Sequence, residues 1–379
     1  MKSLPLFYRE SENMPDLDNP QAALEEQWVS SPRPRTPRPI VVIGAGGIVE
    51  NAHLPAYALA RFPVLAIADT VPEKARALAD RFGVKRAFDS VADIARFAPP
   101  DAVYDIAVPA ANLLDVIREL PDGVPVLLQK PMGETLHEAR LIRELCRSKG
   151  LVAAVNFQLR YAAAILSARS LQRKGILGEV HDMEIQVRTH MPWANWSFLA
   201  KAPRIEVLYH SIHYVDLVRS WFGDPRAIFA RTVRNPGTPA LQATKSILVM
   251  DYGEWKRVFI ATNHNYRFGE EYERAFVQWE GTNGAMRATL GVILNYPHGK
   301  PDKLELSTAA DPRWIAQPCD GQWFPHAFAG SMGSLQAYAE GSVNYLPTRV
   351  DDAYRTMQVV EAIYNRSDQG GEPITWDDQ

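Results

Sequence analysis

Two cysteines, Cys146 and Cys319, in 379 residues exclude both a disulfide framework and a cysteine-based zinc centre. Both read as buried or idle thiols in a reducing compartment. No apolar run reaches the roughly 20 residues that a membrane span requires. The opening MKSLPLFYRE has no continuous hydrophobic stretch of the kind that drives secretion, so a cytoplasmic protein is expected. Charge of either sign is not in excess: 41 Lys and Arg against 44 Asp and Glu leave a net −3, without long runs. That gives no electrostatic case for nucleic acid or for an anionic membrane. Internal repeats are absent too. What remains is ordinary globular composition, 46% hydrophobic and 22% charged, in a chain too long for one compact core. Two domains are expected.

Residues 1–38 differ from the rest. The run SSPRPRTPRP (30–39) alternates proline with arginine and favours extended backbone without a core. ALEEQW (23–28) reads as a short helix. The segment is a flexible leader or an arm lying across a neighbouring subunit.

Over 39–158, apolar strands at 39–44, 64–69, 101–108, 124–129 and 151–157 are separated by amphipathic helical patterns at 48–60, 73–82, 90–97, 112–120 and 134–150. That alternation predicts an α/β domain with a doubly wound parallel sheet covered on both faces. Over 159–379 the texture changes. A helix at 161–174 precedes alternating strands at 179–189, 226–233, 246–252, 256–266, 274–281 and 284–291. Further helices are expected at 207–223, 327–341 and 350–366. The second domain is α+β with an open, mostly antiparallel sheet.

Gly44-Ala45-Gly46-Gly47-Ile48-Val49 closes the first strand and opens the first helix. Gly44 suits a tight turn, Gly46 lets backbone approach a pyrophosphate, and Gly47 and Ile48 bring free N–H groups of a helix N-terminus. Val49 fills the usual third small position, so looser helix–strand packing is expected. The second strand ends in Asp69, whose carboxylate would accept both ribose hydroxyls and repel a 2′-phosphate. NAD is therefore favoured over NADP, with helix capping the plainer role for Asp69. Val108, Pro109 and Asn112, beyond the next strand, are expected on the same cofactor.

In VPVLLQKP (124–131) a lysine and a proline end a buried strand, although an ammonium must be hydrated or paired and proline cannot donate to a ladder. Ligands of a doubly wound sheet bind beyond its carboxyl edge. Lys130, with Gln129 before it, therefore faces the nicotinamide end of the crevice. There it should have a lowered pKa and share in proton transfer. Pro131 would fix its backbone, through a trans or a cis bond.

GAGGIVENAHLPA (44–56), the strand ending in Asp69, QKP (129–131), NFQLRY (156–161), GILGEV (175–180), HSIHYVDLVRSWFG (210–223) and VDDAYRTMQVVEAIY (350–364) occur in the order found in the Gfo/Idh/MocA oxidoreductases. The chain resembles that family over residues 40–366. The resemblance implies an NAD(P)-dependent dehydrogenase of sugars or polyols, a homodimer or homotetramer joined through the open sheet, and a lysine touching the reacting hydroxyl, which Lys130 matches. In the family a glutamate usually precedes that lysine; Gln129 replaces it. The family's D-x-x-x-H helix start places His213 as principal acid/base, here with an unperturbed pKa near 6.5. Its aspartate position is Tyr209, a phenol that would assist. Asp216 would orient the His213 ring. His210, His213 and Asp216 lie at i, i+3 and i+6, which drift about 120° off one face, so no metal is expected.

Asn156, Gln158 and Arg160 stand beside the crevice as candidate substrate ligands. So do Trp193 and Trp196, whose aromatic faces suit a sugar's C–H face, and His210. The segment HNYRFG (264–269) is a further candidate, from this chain or from a partner subunit. Two rivals to a dehydrogenase stay open: internal redox by tightly held NAD, as in an aldose–ketose oxidoreductase or redox glycosidase, and a non-catalytic NAD-binding sensor.

Overall fold

The computed structural model describes residues 31–193, 199–200, 202–295 and 298–375. The candidate Trp196 and the helix expected at 23–28 lie outside the described residues.

The first sheet holds six parallel strands: β1 (Ile40–Ile43), β2 (Val64–Ala68), β3 (Arg86–Phe88), β4 (Val103–Ile106), β5 (Pro125–Leu128) and β6 (Val152–Val155). Their order, β3-β2-β1-β4-β5-β6, reverses direction between β1 and β4. The intervening helices are α1 (Leu54–Ala60), α2 (Pro72–Phe82), α3 (Val91–Phe97), α4 (Leu113–Glu119) and α5 (Leu136–Ser148). Local chemistry sets their ends. Pro72 opens α2 and Gly83, at φ 68°, stops it. Thr135 caps α5 by accepting the Glu138 N–H, while the Glu138 carboxylate takes the Glu134 N–H at 2.6 Å. This reciprocal cap rigidifies the loop that follows Lys130. Cys146 is buried on α5, packed as a small apolar side chain.

α6 (Ala163–Arg173) leads to an eight-stranded sheet built from β7 (Val180–Arg188), β8 (Ala227–Val233), β9 (Lys245–Asp251), β10 (Arg257–Asn263), β11 (Arg274–Gly281), β12 (Gly284–Thr289), β13 (Lys303–Thr308) and β14 (Ile315–Gln317). Its order is β14-β13-β12-β11-β7-β10-β9-β8. All pairings are antiparallel except β7 with β10. The α/β plus open-sheet architecture thus stands as expected, with β3, β13 and β14 added.

α7 (Ile212–Phe222) packs on α9 (Val350–Gln369) and on the turn Gln158–Tyr161; α8 (His326–Ala339) returns to β5 and β6, and α9 lies against β8 as well as β6 and α5. Phe328, Met332 and Leu335 of α8 share a core with Ile40, Val42 and Leu127. The proline–arginine segment does not hang free where it is described. The Arg35 and Arg38 N–H groups donate to Glu340 and Gln336 of this same chain, at 2.6 and 2.8 Å.

Candidate active site

The six parallel strands end on one edge, and the candidate residues follow five of them. Gly44 leaves β1 at φ 108°, and any Cβ there would overlap the Ala107 carbonyl beyond β4. Only glycine fits. The space around Gly46 is open, and its carbonyl accepts the Val49 and Glu50 N–H groups to close the first turn. Val49 is fully buried, and the turn from Val49 to His53 is π-wound before α1 begins. Asp69 works in two places: one oxygen takes the Ala45 N–H at 2.7 Å, the other the Val71 N–H at 2.9 Å. It ties the glycine loop to β2 and holds the turn that leads into α2, whose N-terminus has no side-chain cap, with further lone pairs left on its oxygens. Val108 is half-buried and Pro109 and Asn112 are exposed on the same edge. Beneath the loop, His53 and the Tyr57 hydroxyl both bond the buried Asp105 carboxylate, at 2.7 and 2.8 Å, fastening the first helix to β4.

Next along the edge, the Gln129 N–H bonds Ile106 and the Asn156 N–H bonds Leu128, while the Asn156 amide reaches Gln129 Oε1 at 3.1 Å. Lys130 follows, with a cis bond to Pro131. Its Nζ donates to the Tyr209 carbonyl at 2.5 Å. Among the described residues it pairs with no carboxylate. Burial lowers its pKa to about 8.

The opposing wall is the π-wound turn Glu206–Ser211 running into α7, a winding often found at functional sites. His213 is only 5% exposed, edge-on to Phe157 and Trp323 at ring separations of 6.3 and 5.6 Å. Burial, and then the Lys130 charge, push its pKa well below the ordinary value. That corrects the expected unperturbed imidazole: apolar rings on distant elements disfavour its charged form. His210 is lowered likewise, by burial and then by His264, Lys130 and His213. Its ring lies 4.8 Å from His264, and Trp193 meets it edge-on at 5.2 Å. The Trp193 indole donates to Asn265, and fully buried Glu206 accepts from the Ser211 hydroxyl and lies 3.5 Å from His264. Lys130, His210, His213 and His264 are thus brought together, with Trp193 alongside.

Three expectations fail. The Tyr209 phenol donates to Glu134 at 2.6 Å, and burial and that bond raise its pKa. The phenol expected to assist is thus engaged by Glu134, and the Tyr209 carbonyl, not its hydroxyl, meets Lys130. Asp216 does not orient His213: both its oxygens hold Arg160, at 2.6 Å each. Arg160 also reaches Asp352 and the Pro347 carbonyl, so it braces α7 against α9 instead of facing a ligand. Gln158 is buried at 1% exposure beneath the crevice. The HNYRFG segment divides. His264 joins the histidine cluster of its own chain, whereas Tyr266–Gly269 line a separate cavity of about 530 Å³ with His190, Glu270 and Glu273. Glu134, Glu206 and Trp323 were not evident from sequence, because each acts through a partner on another element. Among the described residues no group of three or more His, Cys, Asp or Glu is placed to hold a metal ion, and no helix is long and apolar enough to cross a membrane.

A glycine loop at a switch point, an acidic residue ending β2, and a lysine meeting imidazoles define an oxidoreductase of the nucleotide-binding class. Residues 38–157 match the model of the Gfo/Idh/MocA oxidoreductase family, NAD-binding Rossmann fold. It is 25% identical over 337 residues to D-apiose dehydrogenase of Paraburkholderia graminis, covering 87% of each chain. It is 22% identical over 339 residues to D-xylose 1-dehydrogenase (NADP+) 2 of Haloferax volcanii, covering 87% of this chain and 97% of that one. Among solved structures, an Agrobacterium radiobacter oxidoreductase in complex with NAD+, L-tartaric acid and magnesium superposes with a TM-score of 0.75. Its identity is 20%, over 89% of this chain and 98% of that one.

Proposed function

We propose that this protein oxidises a CH–OH group of a sugar or polyol with NAD, residues 39–158 holding the dinucleotide and 159–379 the substrate. One observation carries the reading: Lys130, from the edge that bears the glycine loop, bonds the Tyr209 carbonyl, and its charge depresses His213 on the opposing wall. Open backbone at Gly46 and the Asp69 carboxylate fit a dinucleotide. Bound nicotinamide would supply the hydride acceptor. His213, neutral at pH 7, accepts the hydroxyl proton, and Lys130 positions that hydroxyl. Asn156, held by Gln129, and Trp193 shape the rim. The names of the relatives support this substrate class. NADH absorbance over a panel of aldoses, inositols and sugar acids tests it; a panel that yields no NADH sinks it.

Asp69 sets the cofactor choice. Losing a charge-assisted hydrogen bond costs about 1.5–3 kcal/mol, so Asp69→Ala should raise KM for NAD about tenfold or more and narrow the gap to NADP. A wild-type preference for NADP would contradict this role.

Self-association uses the open sheet face. Phe229 and Ile247 there are 55% and 53% exposed, and Phe229 pairs with Val249, which pairs with Phe259. Such a stripe marks an interface, so a homodimer or homotetramer is expected. Light scattering should show Phe229→Glu/Ile247→Glu as a smaller species than wild type. A monomeric wild type would refute the assignment.

A further inference from the structure

The crevice is short of negative charge. Lys130 has three N–H donors and spends one on the Tyr209 carbonyl. Among the described residues no carboxylate pairs with it. The nearby acids are engaged elsewhere: Glu134 by the Tyr209 phenol, Glu206 by Ser211 and His264. Neutral Gln129 precedes the lysine and is bonded to Asn156. A desolvated ammonium without a counter-ion is costly. The remaining ionisable groups of the wall, His210, His213 and His264, are imidazoles with lowered pKa values that supply no anion.

Building on the proposed oxidation, we infer that the substrate carries a carboxylate close to the reacting hydroxyl and that Lys130 pairs with it, so that the substrate class is sugar acids. The two spare N–H donors allow one bond to the carboxylate and one to the hydroxyl. Charge favours this over a sugar phosphate. One ammonium balances one carboxylate, whereas a phosphomonoester brings about −1.5 to −2 into a pocket that already holds Glu206.

The test uses NAD-supplied wild-type enzyme with glucose, gluconate, glucuronate and glucose 6-phosphate, and with two further matched sets of neutral sugar, acid and phosphate. At pH 7 at least one acid should exceed its neutral partner in kcat/KM by about tenfold or more. That ratio should shrink as pH rises past about 8, where Lys130 loses its charge. The imidazoles of His210, His213 and His264, all lowered, and the Tyr209 phenol, raised, keep their charge state across that window; Glu206 and Glu134 are the carboxylates that face the same space. A second readout needs no turnover. Trp193 and Trp323 lie against His210 and His213, so tryptophan fluorescence should report acid binding to the NADH complex. Lys130→Met, which removes a desolvated charge without opening a void, should weaken that binding about tenfold; inositol, which loses only the hydrogen bond to its hydroxyl, should lose less. Neutral sugars or phosphates turned over as well as the acids would overturn the inference and leave the oxidation standing. Lys130-dependent acid binding with no NADH from any substrate would support it and overturn the oxidation. Acid binding indifferent to Lys130→Met would refute it outright.

Discussion

His213→Gln should lower kcat about 10²- to 10⁴-fold, the usual contribution of a positioned general base. The amide fills a similar volume beside Phe157 and Trp323, so denaturation midpoints should stay near wild type. KM should move far less than kcat, because the imidazole is asked to take a proton, not to hold the ligand. A loss confined to KM, or none, would remove His213 from the chemistry.

The pH profile separates this role from mere packing. The imidazole is held well below its ordinary value of 6.5 by burial first and Lys130 second. A depressed pKa keeps the base neutral at lower pH, so the acidic fall in kcat/KM should lie below the usual histidine range. Removing the Lys130 charge takes away the smaller of the two causes. In Lys130→Met the acidic limb, measured on the slow residual rate, should therefore move upward toward 6.5 without reaching it. The low pKa also bears on the fate of the proton. An imidazolium formed there is a strong acid in poor surroundings, and it would release its proton readily to solvent or neighbour. His210 shares that environment, so the cluster favours transfer through the site over storage in it.

What could be read from the sequence was local. The glycine loop, Asp69 and Lys130 all stand where a strand stops, and a doubly wound sheet gathers strand ends on one edge. Periodicity locates the strands, and the edge follows. β13 was not among the expected strands although Leu304 and Leu306 alternate in it, and three-residue β3 offers no period. Side-chain pairing was not legible. Tyr209 meets Glu134 across 75 positions and Arg160 meets Asp216 across 56. No pattern within one helix or strand specifies such partners. Asp216 sits three residues after His213, and that proximity suggested an orienting bond, but the fold points the carboxylate to Arg160. The histidine pKa values failed for a related reason. Desolvation comes from rings on other elements, Phe157 after β6 and Trp323 before α8.

The Arg160 network yields the other large effect, on stability. Arg160 is paired with Asp216 and Asp352, and Asp216, 1% exposed, also accepts from Thr356 at 3.1 Å. Removing the guanidinium leaves a buried carboxylate with little else to neutralise it, a change that costs about 3–5 kcal/mol. Arg160→Leu should therefore lower the denaturant midpoint strongly. The double variant Arg160→Leu/Asp216→Leu should recover much of the loss, since apolar pairs often replace buried ions without penalty. The cycle also decides between two roles for Arg160. A substrate ligand would show unchanged stability, a raised KM and additive effects with Asp216. A brace holding α7, and with it His213, predicts a coupling energy of about 0.5–3 kcal/mol between the two sites. Under that role KM stays near wild type at temperatures where the variant remains folded.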